Sequence, residues 1–260
     1  MNFFLTIAAL LAAPVTVTSV YDGDTFTLRD GTKVRLAAVN TPELRPAEAY
    51  AVEARNAAEA FMKGARVELD KNPPQDSYGR VISQAYVEGK SLSEHLVSLG
   101  LAHVFLIPPV PESHDVKALL AAQKKAREAN RGIWSTERYR GALHITSFHA
   151  NAAGNDRENV NGEYLRLCNI TENAINIEGY SITDASGGRW VFPAVTVPAG
   201  HTVKVHSGKG VNATDPRAQL AIFLGNSRPI WNNRHDRATI FDRYGKVSDA
   251  RLHESLSAGQ

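Results

Sequence analysis

YDGDTFTLRDGTKVRLAAVNTPE, residues 21–43, alternates apolar and polar positions on either side of Asp30-Gly31. An Asp-Gly pair between two such runs predicts a β-hairpin, because a type I′ turn needs positive φ and Gly supplies it cheaply. With a two-residue turn, Asp24 would face Ala37 and Phe26 would face Arg35. Asp24 and Arg35 would then share one face as diagonal neighbours, their Cβ atoms about 7–8 Å apart. That gap suits a metal ion and one phosphate oxygen held between a carboxylate and a guanidinium. The run VRLAAVN (34–40) carries Asn40, Thr41 and Glu43 to the strand end, where Pro42, lacking an N–H, stops the ladder.

Either signal alone is ordinary, since Asp-Gly turns are common and a strand Arg usually reaches out to water. The combination is more specific. DGDT (22–25), then VRL (34–36) and a strand-end NTPE (40–43), then DSYGR (76–80), resembles the thermonuclease, or staphylococcal nuclease-like, family. The resemblance runs from about Val15 to Trp134 and implies a five-stranded OB-type barrel with three helices. It departs from the family at the second acidic metal position, which is Asn40 here. The family's tyrosines after its Gly-Leu-Ala segment fall on Leu106 and Pro108, leaving Tyr78 as the aromatic residue near a nucleotide.

The chemistry of these side chains agrees with that resemblance. Asp24, the Asn40 side-chain oxygen and the Thr41 carbonyl are oxygen donors, which suits a hard cation such as Ca²⁺ or another divalent ion. Glu43 is the candidate general base. Arg35 and Arg80 carry the planar fork that grips phosphate oxygens through two bonds. Together they meet the needs of phosphodiester hydrolysis, an aimed water and neutralised phosphoryl charge. The family implies a nuclease acting on DNA and RNA with little sequence preference and leaving a 3′-phosphate. The alternative is a catalytically weakened module that binds nucleic acid or protein without cutting.

At 260 residues the chain has room for one large or two small domains. Its net charge of +2 divides evenly, +1 for residues 1–140 and +1 for 141–260, so no basic tail announces nucleic acid. Any such function must rest on a local site. The single cysteine, Cys168, excludes an internal disulfide and a zinc framework. In YLRLCN it falls on the face opposite Leu165 and Leu167. It reads as a small unpaired strand residue, with an intermolecular disulfide as the alternative. The nine histidines form no i, i+4 pair, and HSGKG (206–210) lacks the upstream Gly of a P-loop.

MNFFLTIAALLAAPV (1–15) has the short apolar run and small-residue end of a secretory signal, which predicts export, and it is too short to span a membrane. A buried first strand is the other reading of this segment. Strands are expected at 15–20, 24–28, 33–39, 65–70 and 81–88. Helices are expected after Pro46 up to Gly64, from Ser91 (as N-cap) to Gly100, and from Glu112 to Arg131. Composition shifts near Arg138, where helical patterns give way to short alternating runs. LHITSF, EYLRLCN, INIEGYSI, RWVFP, HTVKVH and RATIFD have the spacing of a β-sandwich. EYLRLCN, GYSITDASG, the PAG turn, IWNN and ATIFDRYGKV together resemble the lamin-tail domain, an immunoglobulin-like sandwich used for association or surface display. Its protein or surface partner is not named by the sequence. The expected organisation is a signal at 1–14, a nuclease-like domain at 15–138 and a sandwich at 143–255. Asp236 and Asp242 read as turn residues in preference to metal ligands.

Overall fold

The computed structural model describes residues 12–111 and 114–254. The chain divides into two compact units, residues 1–105 with 110–136, and residues 106–109 with 137–260. Among the described residues no helix is long and apolar enough to cross a membrane.

The first unit contains β1 (Val17–Val20), β2 (Thr25–Leu28), β3 (Lys33–Leu36), β4 (Val39–Asn40), α1 (Ala51–Met62), β5 (Glu68–Leu69), β6 (Val81–Ser83), β7 (Ala85–Val87), β8 (Lys90–Ser91), α2 (Leu92–Ser98), β9 (His103–Val104) and α3 (Val116–Glu128). The expected continuous barrel is replaced by open sheets, in the orders β1-β2-β3-β6, β4-β9 and β5-β7-β8. Two residues break the long strands the sequence suggested. Ala38 has a φ of 63°, so the chain turns after β3 and re-pairs as β4 with β9. Gln84 leaves the ladder between β6 and β7 to tie three segments together. Its N–H donates to Asp70 Oδ2 (2.8 Å), its Nε2 donates to Ala37 O (3.0 Å), and its Oε1 accepts from Ser93 Oγ (2.6 Å).

The hairpin register also differs from expectation by one residue. Thr25 pairs with Arg35, Phe26 with Val34 and Thr27 with Lys33. Leu28 closes on Thr32 and Gly31 N–H donates to Leu28 O, so the loop holds three residues, with Gly31 at φ 88°. This is the common three-residue hairpin, a type I turn followed by a left-handed residue. Asp30 stabilises it by accepting from Thr32 N–H at 2.9 Å. The shift pairs buried Phe26 with buried Val34 on the core face, where the two-residue turn would have set Phe26 against Arg35.

Helices match the sequence more closely. Ser91 Oγ accepts from Glu94 N–H (3.2 Å) at the start of α2, and Gly100 follows its end at φ 71°. α1 starts later than Pro46, after a turn through Tyr50 at φ 68°. α3 runs from Val116 to Glu128, inside the expected Glu112–Arg131, and is capped by Asp115, whose carboxylate accepts from Ala118 N–H (3.0 Å); Glu112 lies outside the described residues.

The second unit is a β-sandwich. Its strands are β10 (Leu143–His149), β11 (Tyr164–Asn169), β12 (Ile175–Asn176), β13 (Ser181–Thr183), β14 (Arg189–Val191), β15 (Thr196–Val197), β16 (Thr202–His206), β17 (Leu220–Phe223), β18 (His235–Phe241) and β19 (Val247–Glu254). They form sheets in the orders β10-β11-β16-β17 and β14-β13-β18-β19, with a β12-β15 pair. Leu143, Ile145, Leu165, Leu167, Val203, Val205, Ile182 and Ile240 fill the space between them. Buried Asp249 secures the start of the unit, accepting from Ile145 N–H (2.7 Å) and facing His144 Nδ1 (2.9 Å) and Arg138 Nε (3.5 Å). Cys168 lies on the face away from Leu165 and Leu167 but is fully buried, and burial pushes its thiol well up. A thiol so placed cannot reach another chain's cysteine without local opening. Asp236 and Asp242 accept from loop N–H groups, of Ala185 and Asn232 and of Tyr244 and Lys246 respectively, as turn residues do.

Candidate active site

The first unit brings Asp24, Arg35, Asn40 and Thr41 to one point, where the β2–β3 hairpin meets the end of β4. Asp24 is buried and joins Arg35 to Thr41. Its Oδ2 accepts from Thr41 N–H (2.8 Å) and Thr41 Oγ1 (3.0 Å). Its Oδ1 accepts from Thr25 Oγ1 (3.1 Å) and forms an ion pair with Arg35 Nε at 3.1 Å. The expected gap between Asp24 and Arg35 is therefore closed, because the one-residue shift in register sets Arg35 beside Thr25, next to Asp24.

Arg35 is held on all sides. Beyond Asp24, its Nη1 donates to Leu36 O (2.5 Å) and Val39 O (2.9 Å), and Nη2 donates to Asn40 Oδ1 (3.0 Å). Of a guanidinium's five N–H groups, these bonds leave one, so a two-bond grip on phosphate is not available in this arrangement. Asn40 Oδ1 and the Thr41 carbonyl, expected as metal ligands, both accept from N–H groups, the latter from Asn40 Nδ2 at 3.3 Å. Among the described residues no group of three or more His, Cys, Asp or Glu side chains is arranged to hold a metal ion.

The site nonetheless gathers negative charge. Asp22, which the motif reading passed over, is buried beside Asp24, whose N–H donates to Asp22 Oδ1 (3.1 Å). Burial, then Asp24 and Glu43, push the Asp22 carboxyl up to about 7, with Arg35 opposing them. Two carboxylates and one guanidinium thus act on the Asp22 carboxyl. The signal was the first Asp of DGDT, and only folding shows that it points inward. In metal-free protein a raised carboxyl pKa means the folded state holds the proton more tightly than the unfolded one. Stability from this group is full below about pH 4 and is lost as pH rises toward 7. Urea unfolding with chelator should show that decline, up to about 4 kcal/mol, and Asp22→Asn should flatten it.

Gly23 lets this segment approach so closely. A Cβ there would lie 2.7 Å from Thr41 Cγ2 and 2.9 Å from Ala54 Cβ of α1. Gly23→Ala should separate Asp24 from Thr41 and destabilise the protein by about 1–3 kcal/mol, measured by thermal and denaturant unfolding. A fully stable Gly23→Ala variant would mean that α1 can withdraw without disturbing the site.

Glu43 sits in a turn closed by Glu48. Its N–H donates to Glu48 Oε2 (2.9 Å), and Glu48 N–H donates to Glu43 O (2.9 Å). Arg80 and Tyr78 occupy a separate loop organised by Asp76, another residue that carried no role in the sequence reading. Asp76 Oδ1 accepts from the N–H groups of Tyr78 and Arg80, each at 2.9 Å, and Oδ2 pairs with Arg80 Nε and Nη2, each at 2.8 Å. The Arg80 guanidinium lies 5.5 Å from the centroid of the Tyr78 ring, which is 72% exposed. β6, which begins at the next residue, runs parallel to β3 with Val81 beside Val34, so this loop enters the same sheet that holds Arg35. Arg80 keeps three N–H groups beyond its bonds to Asp76, enough for a two-bond grip.

Comparison with known proteins adds to this geometry. Residues 33–136 match the family described as staphylococcal nuclease homologue, and residues 136–254 match the Lamin Tail Domain family. The chain carries a staphylococcal nuclease-type domain followed by a lamin tail domain. The nuclease-type domain is similar to Endonuclease YncB of Bacillus subtilis (strain 168), at 30% identity over 134 residues, 48% of this chain and 63% of YncB. It is also similar to the SPbeta prophage-derived endonuclease YokF, at 28% identity over 48% of this chain and 45% of YokF. Endonuclease YhcR, again of B. subtilis, matches at 30% identity over 46% of this chain but 11% of its own length. The chain thus spans less than two thirds of each of these relatives. Their names, with the staphylococcal nuclease-type domain, support a nuclease-family role.

Proposed function

We propose that the protein is a metal-dependent endonuclease that hydrolyses phosphodiester bonds of DNA and RNA with low sequence specificity, using Ca²⁺ or a similar divalent cation. The observation that carries this reading is the buried Asp24 carboxylate holding Arg35 and Thr41 together, with Asp22 and Glu43 adding negative charge around it. Asp24, the Asn40 side-chain oxygen and the Thr41 carbonyl would hold the cation, and Asp22 adds charge behind them. When bound, the ion supplies Lewis-acid polarisation of a phosphate oxygen. Glu43 takes the proton from the attacking water. Arg80, free to offer two N–H groups, is the main clamp on the phosphoryl oxygens, and Arg35 contributes its one remaining N–H. Tyr78 borders the base. The first fourteen residues, of which 1–11 lie outside the described residues, would act as an export signal, giving a secreted or surface enzyme.

The second reading, a module that binds without cutting, is favoured by one observation, the enclosure of Arg35 by backbone carbonyls and Asn40. Incubating the protein with plasmid and with single-stranded DNA, with Ca²⁺ and then with chelator, separates the two. Nicking and shortening that stop on chelation support the enzyme; shifted but intact nucleic acid supports the module.

Asn40 sets the strength of the metal site. It is neutral, and calcium affinity is tuned largely by the number of charged ligands. Asn40→Asp adds a carboxylate, keeps an acceptor for Arg35 and removes the amide that occupies the Thr41 carbonyl. Calorimetry at low salt should show tighter Ca²⁺ binding without nucleic acid, by about tenfold or more. Unchanged affinity would remove Asn40 from the ligand set.

A further inference from the structure

The lamin tail domain carries an unusual outer face on its β10-β11-β16-β17 sheet. In register across the four strands stand His149, Tyr164, His206 and Phe223. Their rings form a continuous row, with centroids 4.3 Å apart for His149 and Tyr164, 5.8 Å for Tyr164 and His206, and 4.9 Å for His206 and Phe223. Two residues further along β11 and back along β16, the next rung pairs Arg166 with Lys204. All six residues are partly exposed, while Leu165, Val203 and Val205 between them face the core.

Among the described residues no carboxylate pairs with either cation. Arg166 donates to Thr202 Oγ1 (3.4 Å) and Gln219 Oε1, both neutral, and Lys204 Nζ lies 3.8 Å from the centroid of the Tyr164 ring. Burial, and then the neighbouring Arg166, lower the Lys204 pKa.

We infer that this face binds single-stranded nucleic acid, its phosphates against Arg166 and Lys204 and its bases along the aromatic row. Charge complementarity selects a polyanion. The spacing selects the single strand, because the two rungs lie about 6.8 Å apart along the strands, so phosphate and unpaired base can be met together. In a duplex the bases are stacked inside, and the aromatic row would have nothing to engage. The surface is distinct from the Asp24 site, and its binding does not depend on whether that site cuts.

The test uses the full chain carrying Glu43→Gln, in chelator, with a fluorescent oligothymidylate followed by anisotropy across a salt series. Arg166→Gln with Lys204→Gln should weaken binding by about tenfold or more. It should also lower the slope of log K against log salt by about 1.4, since each phosphate contact on a single strand contributes about 0.7. Because Arg166 also bonds to Gln219, Lys204→Gln alone provides a variant with little folding risk, and it should lower the slope by about 0.7. Unchanged affinity and slope in the folded variants would overturn the inference. So would binding of phosphatidylserine vesicles, lost in the same variants, without binding of the oligonucleotide. Failure of cleavage by the unmodified protein bears on the proposed enzyme alone, because this assay reads binding with cutting switched off.

Discussion

Asp24→Ala is expected to destabilise the nuclease-type domain by about 3–5 kcal/mol, the usual result of removing one partner from a buried ion pair. Asp24 is 5% exposed, and its carboxylate forms an ion pair with Arg35 Nε and accepts from Thr25 Oγ1 and both the N–H and hydroxyl of Thr41. Without it the Arg35 guanidinium stays in the same enclosure with one bond missing, and the β4 end is no longer pinned to the hairpin. Activity should be lost with the site. Asp24→Asn keeps the shape and one acceptor, so it should unfold less readily than Asp24→Ala yet still fail to cut. Denaturant unfolding of both variants measures this. A loss below about 1 kcal/mol in Asp24→Ala would mean that the Arg35 carbonyl contacts alone organise the site.

Glu43→Gln and Arg80→Ala should each lower turnover by at least about a hundredfold, for different reasons. Glu43→Gln removes the proton acceptor but keeps a side chain of the same size. Arg80→Ala removes a two-bond donor to developing phosphoryl charge, a loss that typically costs that much. Neither change should unfold the protein. The Glu43 turn is closed through backbone N–H and carbonyl groups, and the Asp76 loop keeps the bonds from the Tyr78 and Arg80 N–H groups. Arg80→Lys should not restore the rate, since an ammonium offers no planar fork. Steady-state kinetics on a short labelled oligonucleotide measures each effect, and near-normal turnover in either variant would remove that residue from the mechanism.

Much of this arrangement was legible in residues 21–43, because acidic, cationic and turn residues that are ordinary singly occur there in one ordered set. The hairpin and the short strands after Arg138 follow from local alternation and turn chemistry, while the grouping of Asp24, Arg35, Asn40 and Thr41 rested on the motif resemblance as well. The register was not legible. A two-residue and a three-residue loop both suit Asp30-Gly31, and burial of Phe26 against Val34 selects the second. The breaks at Ala38 and Gln84 also escaped, because neither residue type signals a strand end. Each turns where it does for tertiary reasons, Ala38 O accepting from Phe105 N–H and Gln84 tying Ala37, Asp70 and Ser93 together. Asp22 and Asp76 look like ordinary turn acids in the sequence. Their roles depend on burial and on what folding sets nearby, Asp24 and then Glu43 for one and Arg80 for the other.

The most direct measurement is the initial rate of cleavage of a 5′-labelled single-stranded oligonucleotide by the unmodified protein and by Glu43→Gln, each with Ca²⁺ and with chelator. The account predicts cleavage only by the unmodified protein with the cation present, at least about a hundredfold above the other three conditions. Equal rates for the two proteins, or cleavage that persists in chelator, would contradict it.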